Sequence, residues 1–122
     1  MEYVATNNAP GAIGPYSQAV KANGFLFTSG QIAINPATNT VEAKTIEEQT
    51  TQVCENLKAV VEAAGTAMDK VVKTVCFLAD INDFAKFNEI YGEYFTSKPA
   101  RSCVQAVLPK GALCEVEVIA EL

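Results

Sequence analysis

Near its C-terminus the chain gathers the residue types that can act on a small acid: Arg101, Cys103, Glu115 and Glu117. Arg101 is the only arginine present. Its planar fork can hold a carboxylate by two parallel hydrogen bonds, and its charge is permanent. A glutamate close by can position or deprotonate a water molecule. Arg101 lies in a run of alternating, β-branched character, Leu108-Pro109-Lys110-Gly111 is a turn signal, and Cys114 to Ile119 alternates again. That pattern predicts a strand, a connection and a second strand. Alternation puts Arg101 and Cys103 on one face of the first and Glu115 and Glu117 on one face of the second, so that cation and carboxylate can meet. Spacing alone leaves two readings open: a ligand-binding arginine, or an arginine that only pairs with Glu115 or Glu117 at a sheet edge.

The chemistry must work without histidine, because the 122 residues contain none. This removes Ser-His and Cys-His mechanisms and makes a zinc site a poor expectation. The cysteines Cys54, Cys76, Cys103 and Cys114 are far apart and lie mostly in apolar patterns, so reduced, buried thiols are expected. Nine Lys and Arg against fourteen Asp and Glu give a net charge of −5, and the cations are scattered. Nucleic acid and membrane surfaces are therefore disfavoured partners. No apolar run approaches the roughly 20 residues that span a bilayer, and the first residues lack a signal-type segment. A cytoplasmic protein is expected. An apolar content of 49% suits a single domain over residues 1–122 with a real core.

The elements that must position these residues are legible in order. Glu2 to Thr6 suits a short strand, and Asn7 to Pro15 an ordered loop that carries Gly14-Pro15-Tyr16-Ser17. Tyr16 either packs on the core or touches a ligand. Ala19–Ala22 and Phe25–Ser29 flank Asn23-Gly24, a strong hairpin signal. Ser29-Gly30-Gln31 follows, where glycine permits close approach or marks a bulge or strand end. Asn35-Pro36 and Thr38-Asn39 suggest a surface loop or second turn. Thr45 can cap a helix of about five turns, with Val53, Leu57, Val60, Val61 and Ala64 at helical spacing and Gly65 as its stop. Val71 to Leu78 is nearly continuous β-branched sequence, as in a central strand covered on both faces.

A second helix is expected from about Asp83 to Phe95, capped by Asp80 or Asn82, with Phe84, Phe87, Tyr91, Tyr94 and Phe95 as its stripe. Asn88 lies on that stripe and needs a partner, since an unpaired buried carboxamide costs about 1 to 3 kcal/mol; a backbone clamp is the favoured reading over a pocket wall. The order β-β-β-α-β-α-β-β predicts an α+β fold, one mixed sheet with both helices on one face. Val104, Ala106, Val107, Val116, Val118 and Ile119 supply apolar side chains to both faces of the last strands, so the open face is expected to be buried by another subunit.

Taken together, Gly14-Pro15-Tyr16-Ser17-Gln18-Ala19, Thr28-Ser29-Gly30-Gln31, Asn82-Asp83-Phe84 with Asn88, and Pro99 to Val104 through Leu108-Pro109-Lys110-Gly111 to Glu115-Val116-Glu117 resemble the RidA (YjgF) family of imine deaminases over essentially the whole chain. The resemblance implies a chorismate-mutase-like fold, a homotrimer with clefts between subunits, and hydrolysis of 2-iminobutanoate or 2-iminopropanoate to the 2-keto acid and ammonia, with no cofactor. It also implies that Arg101 binds the substrate carboxylate, that Glu115 activates water, and that Tyr16, Ser29, Gly30, Asn88 and Cys103 line the cleft. The Phe95 to Pro99 connection is shorter than in many relatives, and the Arg101 to Glu115 interval is one residue short. A one-residue slip turns a strand's faces over, so either the loop from Leu108 to Ala112 absorbs it or Glu117 faces the cleft; the loop is the expectation. Two other functions compete: a non-catalytic trimer that binds 2-keto or other carboxylic acids or acts like a chaperone, and, less favoured, a ribonuclease or translation inhibitor.

Overall fold

A computed structural model describes residues Met1 to Leu122. The chain runs β1 (Glu2–Val4), β2 (Ala19–Ala22), β3 (Phe25–Thr28), β4 (Ile34–Asn35), β5 (Thr40–Val41), α1 (Ile46–Ala63), β6 (Val71–Leu78), α2 (Phe84–Tyr94), β7 (Ala100–Gln105) and β8 (Cys114–Glu121), with single 3-10 turns before β6, α2 and β8. Six strands form one mixed sheet in the order β1-β2-β3-β8-β6-β7, and β4 with β5 makes a small separate hairpin. Only β6 and β7 run parallel, as strands joined by the α2 crossover must. This is the α+β arrangement that the sequence predicts, with both helices against one face of a mixed sheet.

Local chemistry explains the elements. Asn23 and Gly24 adopt φ of 52° and 82° and close the β2–β3 hairpin. Thr45 accepts the Glu48 N–H at 3.2 Å and donates to the Glu48 carboxylate at 3.0 Å, which fixes the start of α1. Gly65 at φ 88° ends it. The predicted stripe of Val53, Leu57, Val60, Val61 and Ala64 is buried. Asn56, also buried, donates to the Ile32 and Ile34 carbonyls at 3.2 and 2.9 Å and ties the β4–β5 hairpin to the helix.

In α2 the rings of Phe87, Tyr91 and Phe95 meet in series at centroid distances of 5.6 and 4.4 Å. Tyr91 shares a 2.7 Å hydrogen bond with Thr74 of β6. Asp80 caps the 3-10 turn Ile81–Asp83 by accepting the Asn82 N–H, rather than capping α2 itself.

The core lies between the helices and the inner face of β3, β8 and β6, where Leu26, Cys76, Leu78, Val116 and Val118 meet α1 and α2. One expectation is corrected here. β6 is covered on one face only within the chain: Thr74, Cys76 and Leu78 are buried under the helices, while Lys73, Val75 and Phe77 on the other side are half-buried. The reason is that both helices take the same side. Phe25 and Phe27, each 39% exposed, share that open face with Ile119. No helix is long and apolar enough to cross a membrane.

Candidate functional site

Register decides where each candidate residue goes. On β6, Thr74 pairs with Val118 of β8 on one side and Arg101 of β7 on the other, and Cys76 pairs with Val116 and Cys103. Paired residues point to the same face. Arg101 and Cys103 therefore share the helix face with Val116 and Val118, while Glu115 and Glu117, which alternate with those valines, face the other way. The sequence reading correctly grouped each pair, yet within one chain the cation and the carboxylates lie on opposite faces of the sheet and cannot meet. The alternative of an Arg101–glutamate ion pair is removed as well, since the one salt bridge joins Lys21 and Glu2.

On the open face, Glu115 borders a cavity of about 430 Å³ together with Tyr16, Ser29, Gly30 and Lys110. Glu117 borders a separate, smaller depression beside Lys73 and Phe27. The loop before β8 turns through two left-handed residues, Lys110 at φ 56° and Gly111 at φ 65°. Lys110 was seen in the sequence only as part of a turn; nothing but that turn marks it as a cavity residue.

A bulge explains Gly30. Phe27 pairs with Ile119 and Gln31 with Val116, so four steps along one strand face three along the other. Thr28 bridges part of the gap with its hydroxyl, which accepts the Val118 N–H at 3.0 Å. The extra residue falls at Ser29-Gly30, and the Gly30 N–H makes no backbone hydrogen bond. A Cβ at Gly30 would stand 2.7 Å from Glu115 Oε2 and 3.0 Å from its Cδ, so the missing side chain makes the space that the carboxylate occupies. Burial, and then the nearby Glu117 charge, raises the Glu115 carboxyl above its ordinary range. Ser29 donates to the Ser17 carbonyl at 2.5 Å, which holds the loop that carries Tyr16. Tyr16 is 55% exposed, so it packs on no core.

On the helix face, Asn88 accepts from Arg101 Nη1 at 2.7 Å, a side-chain partner in place of the backbone clamp that its position on α2 suggested. The guanidinium lies 4.8 Å from the Tyr91 ring centre and 5.2 Å from that of Phe84, on an aromatic bed that favours a cation. Cys103 is half-buried beside it; burial raises its thiol and Arg101 partly offsets this. Burial pushes Cys76 up to about 12 and Cys114 to about 11. All four cysteines are free, and all but Cys103 are buried. The chain thus presents two half-sites: a cation on rings at the β7 edge, and a desolvated carboxylate beside a free N–H on the opposite face.

Residues 6–122 match the family model described as Endoribonuclease L-PSP. A RutC family protein of Pyrococcus horikoshii is 54% identical over 121 residues, which cover 98% of this chain and 96% of that one. Reactive Intermediate Deaminase A, chloroplastic, of Arabidopsis thaliana is 46% identical over 99% of this chain and 66% of its own length. Among solved structures, E. coli TdcF with bound serine superposes with a TM-score of 0.94 at 42% identity, covering 100% of this chain and 99% of that one. A fold shared end to end, and identities near one half with a RutC protein and a named reactive-intermediate deaminase, establish that this chain belongs to the RidA (YjgF) family.

Proposed function

We propose that the chain is an imine deaminase of the cytoplasm, acting as one domain that hydrolyses 2-iminobutanoate and 2-iminopropanoate to the 2-keto acid and ammonia in clefts between the subunits of a homotrimer. The observation that carries this reading is the division of labour between faces: Arg101 with Asn88 and Cys103 on one, Glu115 with Gly30, Ser29 and Tyr16 on the other. Each set is half of what a small imino acid needs. The apolar open face, with Phe25, Phe27, Val75, Phe77 and Ile119, gives a second copy something to bury.

Arg101 of one copy holds the substrate carboxylate through its fork. Glu115 of the next copy takes a proton from water as the oxygen bonds to the imine carbon. The C=N electron pair goes to nitrogen, giving a tetrahedral carbinolamine. With the imine entering protonated at nitrogen, this carbinolamine is neutral. Glu115 returns its proton to the amino nitrogen, and the C–N bond pair leaves with ammonia. An oxygen lone pair closes the keto C=O, and the hydroxyl proton passes to the Glu115 carboxylate, which releases it to solvent or to the departing ammonia. A carboxyl raised by burial suits this exchange, because its affinity for a proton lies closer to that of the groups it serves. The name of the Arabidopsis deaminase supports a deamination, and the serine held by TdcF supports a ligand of amino-acid size. The family label of endoribonuclease finds no support in a chain with fourteen acids, nine scattered cations and no histidine.

The test couples the protein to a pyridoxal-phosphate threonine dehydratase and follows 2-ketobutyrate release while a scavenger competes for the imine. The parent protein is expected to accelerate release, and Glu115→Gln to lose at least about 100-fold in kcat while still binding 2-ketobutyrate. Binding with no acceleration by the parent would leave the non-catalytic carboxylic-acid binder.

A further inference from the structure

The loop between β1 and β2 forms no helix or strand, yet it supplies Pro10, Ile13, Tyr16 and, at its end, Gln18 to the wall of the Glu115 cavity. Within it a single main-chain hydrogen bond forms, from the Tyr16 N–H to the Gly14 carbonyl. What holds the far limb is one side chain. Gln18, 4% exposed where the loop enters β2, uses its carboxamide completely. Its Oε1 accepts the Thr6 N–H at 2.7 Å, and its Nε2 donates to the carbonyls of Thr6 at 3.1 Å, Ala9 at 3.4 Å and Pro10 at 2.7 Å. Ala9 is also buried against the core, but apolar contact is non-directional and does not fix where the wall stands. A fork of directed hydrogen bonds does.

We propose that Gln18 is a positioning residue that fastens the Thr6–Pro10 limb to the sheet and through it sets the largest side chain that the Glu115 cavity accepts. This rests on the reading that the cavity receives a 2-imino or 2-keto acid; the hydrolysis itself is not needed. Gln18→Met keeps length and bulk and removes all four hydrogen bonds. The experiment measures kcat and KM for 2-iminobutanoate and for the imine of leucine, Kd for 2-ketobutyrate and for the 2-keto acid of leucine, and Tm.

A released wall is expected to raise KM for the small imine, to leave kcat within about twofold, and to shift the large-to-small ratio of kcat/KM by about tenfold toward the large one. The Kd ratio follows in the same direction. A lowered Tm with both ratios as in the parent overturns the proposal, since Gln18 is then structural only. If the parent turns over neither imine but Gln18→Met still shifts the Kd ratio, hydrolysis fails and the role of Gln18 stands. Should Gln18→Met not fold, hydrogen exchange at the Thr6 amide of the parent decides. Saturating 2-ketobutyrate is expected to slow it by about tenfold, and exchange that ignores the acid overturns the link between wall and site.

Discussion

At the scale of the residue, Glu115 carries the most information. Its carboxylate fills the space that a side chain at Gly30 would take, and burial together with Glu117 makes it hold its proton longer than a free carboxyl does. Because the deprotonated form is the proposed base, kcat/KM falls as pH drops through this raised pKa. Glu117→Gln removes the second cause and is expected to move that acid limb to lower pH; a limb that stays put would mean that Glu117 does not reach Glu115. Linkage fixes the sign for stability. The folded chain binds this proton more tightly than the unfolded one, so the burden of an ionised Glu115 is absent in acid and appears as pH rises. In thermal melts across pH, Glu115→Gln is therefore expected to melt higher than the parent near neutrality, with the gap closing on acidification.

At the scale of the element, α2 and β7 work as one unit, since the helix supplies both the hydrogen-bond acceptor and the rings that hold Arg101. Asn88→Asp places a charge where a neutral oxygen now accepts. The guanidinium would then be paired internally, and KM for the imino acid is expected to rise by about tenfold or more with a smaller change in kcat; initial-rate kinetics with Asn88→Ala as the milder comparison checks this. Both helices, the Asn23-Gly24 hairpin and the stripe from Val53 to Ala64 were legible because their signals are local: period, cap and turn. Which residues alternate together on β7 and β8 was legible for the same reason. What local sequence does not encode is the strand that intervenes. Pairing with β6 puts Arg101 on the face opposite Glu115, and the offset between Phe27 and Gln31 creates the bulge at Gly30. Buried carboxamides were equally silent, for nothing in the local pattern around Gln18 and Asn56 points to the carbonyls that they hold.

At the scale of the whole molecule, the proposed site exists only between copies, and a mixing experiment tests it. Arg101→Ala and Glu115→Gln are each expected to be inactive as pure proteins. Unfolded together and refolded at equal amounts, they build clefts that take an intact arginine from one chain and an intact glutamate from another; random cyclic assembly makes about one cleft in four complete. Recovery of activity near that fraction supports shared clefts, whereas a mixture as dead as its components contradicts them. Sedimentation of the parent at the mass of three chains is the companion measurement.

The opposed faces have a further consequence. Had the guanidinium and the carboxylate shared one surface, a freshly made chain would neutralise itself with a private ion pair, and each substrate would first have to break it. Kept apart by the thickness of a sheet, both charges stay unspent until copies associate. On the proposed reading, output then rises more steeply than chain abundance, and dilution silences the protein well before it unfolds.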